Sequence, residues 1–270
     1  MPDPLAMSSA DTPRAGPVHG LDGAALCLVT GASRGIGLAV VDQLLANPRV
    51  GRVLAVARTA RTSPGLQALA ARHAERLQCI DADLTRPEQL ASLAAGAAAC
   101  GRLHLVVNAA GVLHGDRLRP EKSIAQVRPD ALAQVFALNA FAPVLLAQAL
   151  LPMLRHGEPA VFASLSARVG SIGDNRLGGW YAYRASKAAQ NQLLRTFAIE
   201  LARLAPAATC LLLHPGTVDT GLSAPFQATV PADRLFTPAQ AAGRLLAVIA
   251  GAGPADSGRF LAHDGSVIPW

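Results

Sequence analysis

Tyr183 and Lys187 stand four residues apart in Tyr183-Arg184-Ala185-Ser186-Lys187. On a helix that spacing puts both side chains on one face. An ammonium beside a phenol favours the phenolate and lowers its pKa, which suits tyrosine to acid/base work near neutral pH. An isolated pair of this kind is usually a packed tyrosine next to a solvated lysine. Composition argues otherwise: the chain has only two tyrosines, Tyr181 and Tyr183, and only two lysines, Lys122 and Lys187, and otherwise uses arginine for positive charge. Lysine is a compact point charge and arginine a planar fork, so the choice at position 187 is informative. Only Tyr183 has a lysine four residues on, which makes it the candidate acid.

A second group reads Thr30-Gly31-Ala32-Ser33-Arg34-Gly35-Ile36-Gly37. It follows a short apolar run and opens a stretch of helical period. Glycines there allow a tight turn and let the backbone approach a diphosphate, which the free N–H groups and positive dipole end of the helix would hold. The spacing is G-x3-G-x-G, not the G-x-G-x-x-G fingerprint. Alone it would be weak, since glycines also serve plain turns.

These residues need a frame to hold them, and the hydrophobic pattern supplies one. Strands are predicted over Ala25–Thr30, Arg52–Ala57, Leu77–Ile80, Leu103–Val107, Ala160–Leu165, Thr209–Leu213 and Arg259–Ala262. Helices are predicted over Gly35–Ala46, Gln67–His73, Arg86–Ala98 with Thr85 as N-cap, Pro129–Arg155 adjusted at Pro143 and Pro152, Tyr183–Leu204 and Pro238–Ile249. Such alternation implies a doubly wound parallel α/β sheet of about seven strands in a single domain, residues 24–270, after a flexible extension, residues 1–23. Ligands of such sheets lie beyond the carboxyl ends of the strands, at the switch in strand order.

From about residue 24 to the C-terminus the chain resembles the short-chain dehydrogenases/reductases, and more narrowly their C-factor-like branch. The glycine turn has that family's spacing. Asp83-Leu84 is similar to its acidic pair at the adenine, and Asn108-Ala109-Ala110-Gly111 to its N-A-A-G segment bordering the cofactor. Asn139 matches the asparagine that holds a water in the proton relay, and Tyr183 with Lys187 the catalytic pair. Pro215-Gly216-Thr217-Val218-Asp219-Thr220 resembles the loop that clasps the nicotinamide, so Pro215, Gly216, Val218 and Thr220 join Gly31, Ser33, Arg34, Gly35, Ile36 and Gly37 as candidate cofactor contacts. Gly170 to Asn175, Trp180 to Tyr183 and the ending Pro269-Trp270 carry the narrower likeness.

The resemblance implies a Rossmann-type fold and hydride transfer between a nicotinamide cofactor and a small carbonyl or alcohol. NAD enzymes of this architecture place an acid after the second strand, to bind the ribose 2′-hydroxyl. Here that place reads Val56-Ala57-Arg58, and Arg34 lies within the glycine turn. Two guanidinium forks suit a 2′-phosphate, so NADP(H) is the expected cofactor. In many relatives the catalytic serine stands three residues before a glycine. Counting back from Gly170 in Ser164-Leu165-Ser166-Ala167-Arg168-Val169-Gly170 gives Ala167. Ser166, re-aimed by a bulge, is the favoured donor; Ser171 is a further candidate, and Ser164 reads as a strand residue.

Other classes fare less well. A net charge of +6 invites nucleic acid, but the arginines are scattered singly, with no basic run. Cys27, Cys79, Cys100 and Cys210 lack metal-type spacing, so no metal is expected, and they read as reduced thiols of a cytoplasmic protein. No apolar run reads as long enough to span a bilayer. A cofactor-binding regulatory protein with little turnover stays open as the alternative, although Tyr183, Lys187 and Asn139 argue for turnover. Val112–Val127 and Arg168–Trp180 should border the substrate, with His114, Arg176 and Trp180 within reach and Leu222–Phe236 as a short lid. The long helices carry interfaces in many relatives, which implies a homodimer or homotetramer.

Overall fold

The computed structural model describes residues 16–228 and 230–270. Strands β1 (Ala25–Thr30), β2 (Val50–Ala57), β3 (Leu77–Asp81), β4 (Leu105–Asn108), β5 (Ala160–Leu165), β6 (Ala208–His214), β7 (Thr217–Val218), β8 (Leu235–Phe236) and β9 (Phe260–Ala262) alternate with helices. These are α1 (Gly35–Leu45), α2 (Pro64–Arg72), α3 (Pro87–Cys100), α4 (Pro129–Phe136), α5 (Ala142–Leu154), α6 (Tyr181–Leu204) and α7 (Pro238–Gly251). Seven strands form one sheet in the order β3-β2-β1-β4-β5-β6-β9, with every pair parallel. This is the doubly wound sheet that the pattern predicts. Strand order reverses between β1 and β4, so the loops leaving their carboxyl ends part and open a crevice.

Period-2 alternation explains the two cores. Cys27 and Val29 face one side with Val41, Leu44, Leu66 and Leu245, from α1, α2 and α7. Leu26 and Leu28 face the other with Leu93, Leu146, Leu194 and Phe197, from α3, α5 and α6. Both faces of the sheet are therefore covered, as an all-parallel sheet requires.

Three expectations need correction. The extension is not loose throughout: residues 1–15 lie outside the described residues, but Val18 and Leu21 are buried in the first core and Arg49 donates to the Leu21 carbonyl. Thr85 does not cap α3; its hydroxyl and N–H both bond the Asp83 carboxylate, and Arg86 takes the N-cap position. The long helix is not adjusted at Pro152 but only just before Pro143, by a π-turn, Ala137–Phe141, where the Ala142 N–H reaches the Ala137 carbonyl. Pro143 lacks the N–H that would close a regular turn onto Asn139, so the local i→i−5 pattern is the adjustment the sequence permits.

The expected long helix is one helical stretch of 26 residues, Pro129–Leu154, and, contrary to the sequence reading of the apolar runs, it is long and apolar enough to cross a membrane by length and composition. In the fold Ala142, Leu146 and Leu150 of that stretch are buried against the sheet core.

Candidate active site

The cofactor-side candidates gather at the crevice. Gly31 (φ +65°) packs so tightly on the N-A-A-G segment that a Cβ would lie 2.8 Å from the Ala109 carbonyl and the Ala110 nitrogen. A Cβ on Gly37 would press still closer on the Gly31 carbonyl. No side chain caps α1: Arg34 at the N-cap position makes no capping hydrogen bond. The first N–H groups of the helix, on Gly35, Ile36 and Gly37, therefore face the opening, as a diphosphate site needs. The loop after β6 leans over this turn, since a Cβ on Gly35 would stand 3.2 Å from the Thr220 methyl and one on Gly221 would stand 4.0 Å from the Arg34 guanidinium. Pro215 and Gly216 start that loop, and Val218 is buried on β7. Ser33 is tied in through its carbonyl, which accepts from the Ser63 hydroxyl.

Arg34 and Arg58 follow the adjacent strands β1 and β2, and both are exposed. Neither guanidinium makes a hydrogen bond or ion pair with the described residues, which leaves both forks free for an anion. Asp83 follows β3. Burial pulls its carboxyl up, but the Thr85 hydroxyl and N–H, with Arg58 and Arg86 nearby, outweigh that and hold it below its ordinary value. Leu84 is buried beside it in the core.

The proton-side candidates meet where α6 crosses β5. Tyr183 is 9% exposed and Lys187 is 3% exposed, while Tyr181 is 40% exposed, so the helix turns only Tyr183 inward. Lys187 Nζ lies 5.9 Å from the Tyr183 ring centre. It donates to the Leu165 carbonyl at 2.9 Å and to Gln190 Oε1 at 2.8 Å. Burial pushes the Tyr183 phenol up to about 12 and the Lys187 ammonium down to about 7. The expectation that the lysine lowers the phenol's pKa is thus reversed in the chain by itself, because desolvation disfavours both charged forms.

Unpaired burial of the lysine has a stability consequence. Between about pH 7 and 10.5 the unfolded chain holds a proton that the folded one lacks, so stability rises with pH across that window. Below about pH 7 the penalty is fully present. Lys187→Met is expected to stabilise the cofactor-free protein at neutral pH by about 2 kcal/mol. The gain should shrink as pH approaches 10, which melting temperatures of the two proteins compared across pH will check. A constant difference at all pH values would contradict the buried-ammonium reading.

The π-turn brings Asn139, fully buried, against the loop after β4. Its amide makes a two-way pair with Val112, accepting from the N–H and donating to the carbonyl at 2.8 Å each, and reaches Ser186 Oγ at 3.2 Å. Asn108 works from β4: its Oδ1 accepts from the Thr30 hydroxyl at 2.6 Å and its Nδ2 donates to Ser164 Oγ at 2.8 Å. Gln190 Nε2 donates to the same Ser164 oxygen at 2.8 Å. A buried hydrogen-bonded chain thus runs Thr30–Asn108–Ser164–Gln190–Lys187, from the centre of the sheet to the lysine.

Ser166 receives a different partner from the one expected. No bulge re-aims it: β5 pairs with β6 in unbroken register through Leu165, and the Ser166 N–H continues the ladder to the Leu213 carbonyl at 2.7 Å. Its hydroxyl, buried, donates to Asn191 Oδ1 at 2.6 Å. Ser171 Oγ accepts from the Asp174 N–H instead. Ser166→Ala is accordingly expected to destabilise the fold by about 1–3 kcal/mol, the cost of an orphaned buried acceptor, with little change in kcat. A hundredfold fall in kcat at unchanged melting temperature would show that the hydroxyl serves the substrate.

Over Tyr183 stands an aromatic wall. The rings of Trp180 and Phe226 are 4.8 Å apart, those of Trp180 and Tyr183 6.2 Å, and those of His114 and Phe226 5.9 Å. Two of the three pocket candidates, His114 and Trp180, thus come together, while Arg176 stays exposed on its loop. Trp180 holds the left-handed conformation, φ 52° and ψ 45°, which costs a non-glycine residue about 1–2 kcal/mol. Glu121 pays for it: its carbonyl accepts from the Trp180 N–H at 2.5 Å, and its buried carboxylate accepts from the Ala182 N–H at the start of α6. Glu121 and Gln190 were not among the sequence candidates. Gln190 could have been found as a polar residue on the inward face of α6, one turn past Lys187; Glu121 gives no such signal.

Among the described residues His104, His156 and Glu158 form one cluster of metal-ligand types. His104 Nδ1 accepts from the Leu26 N–H, so its Nε2 carries the proton and donates to Glu158. His156 accepts from the Glu158 N–H and donates to the Leu103 carbonyl. These bonds occupy the lone pairs a metal would need.

The sequence profile of the short chain dehydrogenase family matches residues 25–231. The chain is 40% identical to the C-signal of Myxococcus xanthus over 139 residues, 52% of this chain and 78% of that protein. It is 35% identical to 1-hydroxy-2-glutathionyl-2-methyl-3-butene dehydrogenase of a Rhodococcus species over 190 residues, 70% of this chain and 78% of that enzyme. The NADPH-bound carbonyl reductase from chicken fatty liver superposes with a TM-score of 0.81 at 32% identity, covering 92% of this chain and 99% of that one. With that profile matched over most of its length and a relative 35% identical over 70% of it, this chain belongs to the short chain dehydrogenases.

Proposed function

We propose that this oxidoreductase reduces a small carbonyl compound with NADPH, Tyr183 delivering the proton. The observation that carries the reading is the buried Tyr183–Lys187 pair, standing at the carboxyl end of a doubly wound sheet beside an uncapped helix N-terminus. NADPH, when bound, supplies the hydride. Gly35, Ile36 and Gly37 would hold its diphosphate, Arg34 and Arg58 its 2′-phosphate, and Asp83 with Leu84 its adenine. Asn108, Ala109 and Gly111 would border it, with Pro215, Gly216, Val218 and Thr220 as the clasp.

The protein's part is orientation and proton delivery. Burial keeps the Tyr183 phenol protonated at neutral pH, so it is a ready donor to a carbonyl oxygen that gains negative charge. Lys187 would stabilise the phenolate left behind and hold the nicotinamide ribose, and Asn139 would position the relay water. In this reading Ser166 is engaged with Asn191, and the position counted back from Gly170 is taken by Ala167. Ala167→Ser should therefore raise kcat, by at most the factor of about 10²–10³ that such a donor is worth.

The regulatory alternative finds its support in the likeness to the C-signal of Myxococcus xanthus. The protein is further proposed to act in the cytoplasm as a homodimer or homotetramer on a small molecule, without nucleic acid or membrane. A panel of aldehydes, ketones and quinones, scored by NADPH consumption, tests the reading. Turnover of at least one is expected; tight NADPH binding with no turnover of any would favour the regulatory alternative.

A further inference from the structure

Gln190 lies one turn past Lys187 on α6 and is fully buried. Its amide has one possible orientation. Nε2 is 3.2 Å from the Leu165 carbonyl, which can only accept, and 2.8 Å from Ser164 Oγ. Oε1 must then face Lys187 Nζ, 2.8 Å away. An ammonium carries three donors. The Leu165 carbonyl takes one at 2.9 Å and Gln190 takes a second. The third has no partner among the described residues. Beside it is Gly111, where a Cβ would stand 3.8 Å from Nζ and 3.4 Å from Asn139 Oδ1.

We propose that Gln190 is a positioning residue for Lys187: its amide oxygen anchors the ammonium at a second point, so that the one remaining N–H is aimed into the cleft beside Gly111 and Asn139. The anchor is itself held. Ser164 receives Gln190 on one side and Asn108 on the other, and Asn108 is fixed by Thr30, so the direction of the lysine is set by the central strands β1, β4 and β5.

Gln190 is also the nearest group able to support the charge. The strand β5 and the π-turn packed on α6 contain no ionisable residue. Arg168 is paired with Asp174, and Asp130 of α4 with Arg128. On β6, the Cys210 thiol faces the Leu194 carbonyl and His214 is kept neutral by burial, its pKa pushed down to about 4. The remaining titratable groups on this part of α6 are Tyr183, whose ring centre is 5.9 Å from Nζ, and Glu121, whose buried carboxylate accepts from the Ala182 N–H at the helix start. A change at position 190 should therefore move the titration of Lys187 itself.

The two-lysine composition makes that titration directly readable. Protein carrying lysine labelled with ¹³C at Cε gives two side-chain signals, and Lys122→Arg assigns them. In Gln190→Leu the Lys187 midpoint should fall by about one pH unit, and in Gln190→Glu it should rise by about as much. Should Gln190→Leu fail to fold, Gln190→Glu, which keeps an acceptor, carries the test alone. Equal midpoints in the wild type and the Glu variant would overturn the proposal. The measurement needs no substrate, so it stays decisive even if no carbonyl is turned over. Where turnover is found, and resting there on the proposed reduction, the alkaline limb of kcat should move in the same directions. A loss of kcat uniform across pH with the midpoint unmoved would mark Gln190 as structural only and also overturn it.

Discussion

Tyr183→Phe should lower carbonyl reduction by about 10³-fold while leaving NADPH binding nearly unchanged. The reasoning is geometric first. Tyr183 is the inward-facing tyrosine of α6, four residues before the buried lysine, and its ring meets Trp180 edge-on. Phenylalanine keeps that ring contact and the packing but removes the hydroxyl, the group that the proposed reduction uses to protonate a developing alkoxide. The phenol is held near pKa 12 by burial, so the wild-type group is a protonated donor throughout the neutral range. Tyr181 is 40% exposed at the first position of α6, and Tyr181→Phe should change rates little. Steady-state rates and NADPH titrations of the two variants decide the matter. An inactive Tyr181 variant beside an active Tyr183 variant would reverse the assignment.

Replacing Arg34 and Arg58 together by alanine should reduce kcat/KM for NADPH by about 10²-fold and leave that for NADH almost unaltered. Hydrogen bonds between charged groups contribute about 1.5–3 kcal/mol each, and each factor of ten takes about 1.4 kcal/mol. Both guanidinium groups are exposed, at the ends of neighbouring strands, and make no hydrogen bond or ion pair with the described residues, so their removal costs the fold only the weak attraction of Arg58 for Asp83. Stability should be unaffected, and a melting curve provides the control. Equal use of NADPH and NADH by the wild-type protein would contradict the 2′-phosphate assignment outright.

Most of the frame was legible in the residues. All seven strands of the sheet fall within two residues of their predicted bounds, because each is an apolar run stopped by glycine, proline or a polar residue at the carboxyl end. Tyr183, Lys187 and the glycine turn were found because their residue types are rare or conformationally special. What escaped depends on tertiary contact. The π-turn at Asn139 has no periodic signature, since the helical pattern continues through it. The count back from Gly170 gave Ala167, and Ser166 was favoured on an assumed bulge; β5 pairs with β6 without one, and the Ser166 hydroxyl bonds Asn191. Glu121 sits in a polar, proline-containing stretch that reads as a solvated loop, yet it folds back to grip the start of α6. The long helix over Pro129–Leu154 was legible as one stretch, but its apolar length was not, because the reading took its prolines as interruptions.

The central claim is that this chain moves a hydride from NADPH to a carbonyl carbon. It is tested most directly with NADPH carrying deuterium at the transferable position of the nicotinamide, incubated with a carbonyl that the panel identifies. Mass spectrometry of the product alcohol should find deuterium on the carbinol carbon, one atom for each NADPH consumed, with Tyr183→Phe suppressing its appearance. NADPH oxidation without deuterium in the alcohol, or binding of NADPH with no alcohol formed from any carbonyl, would contradict the account.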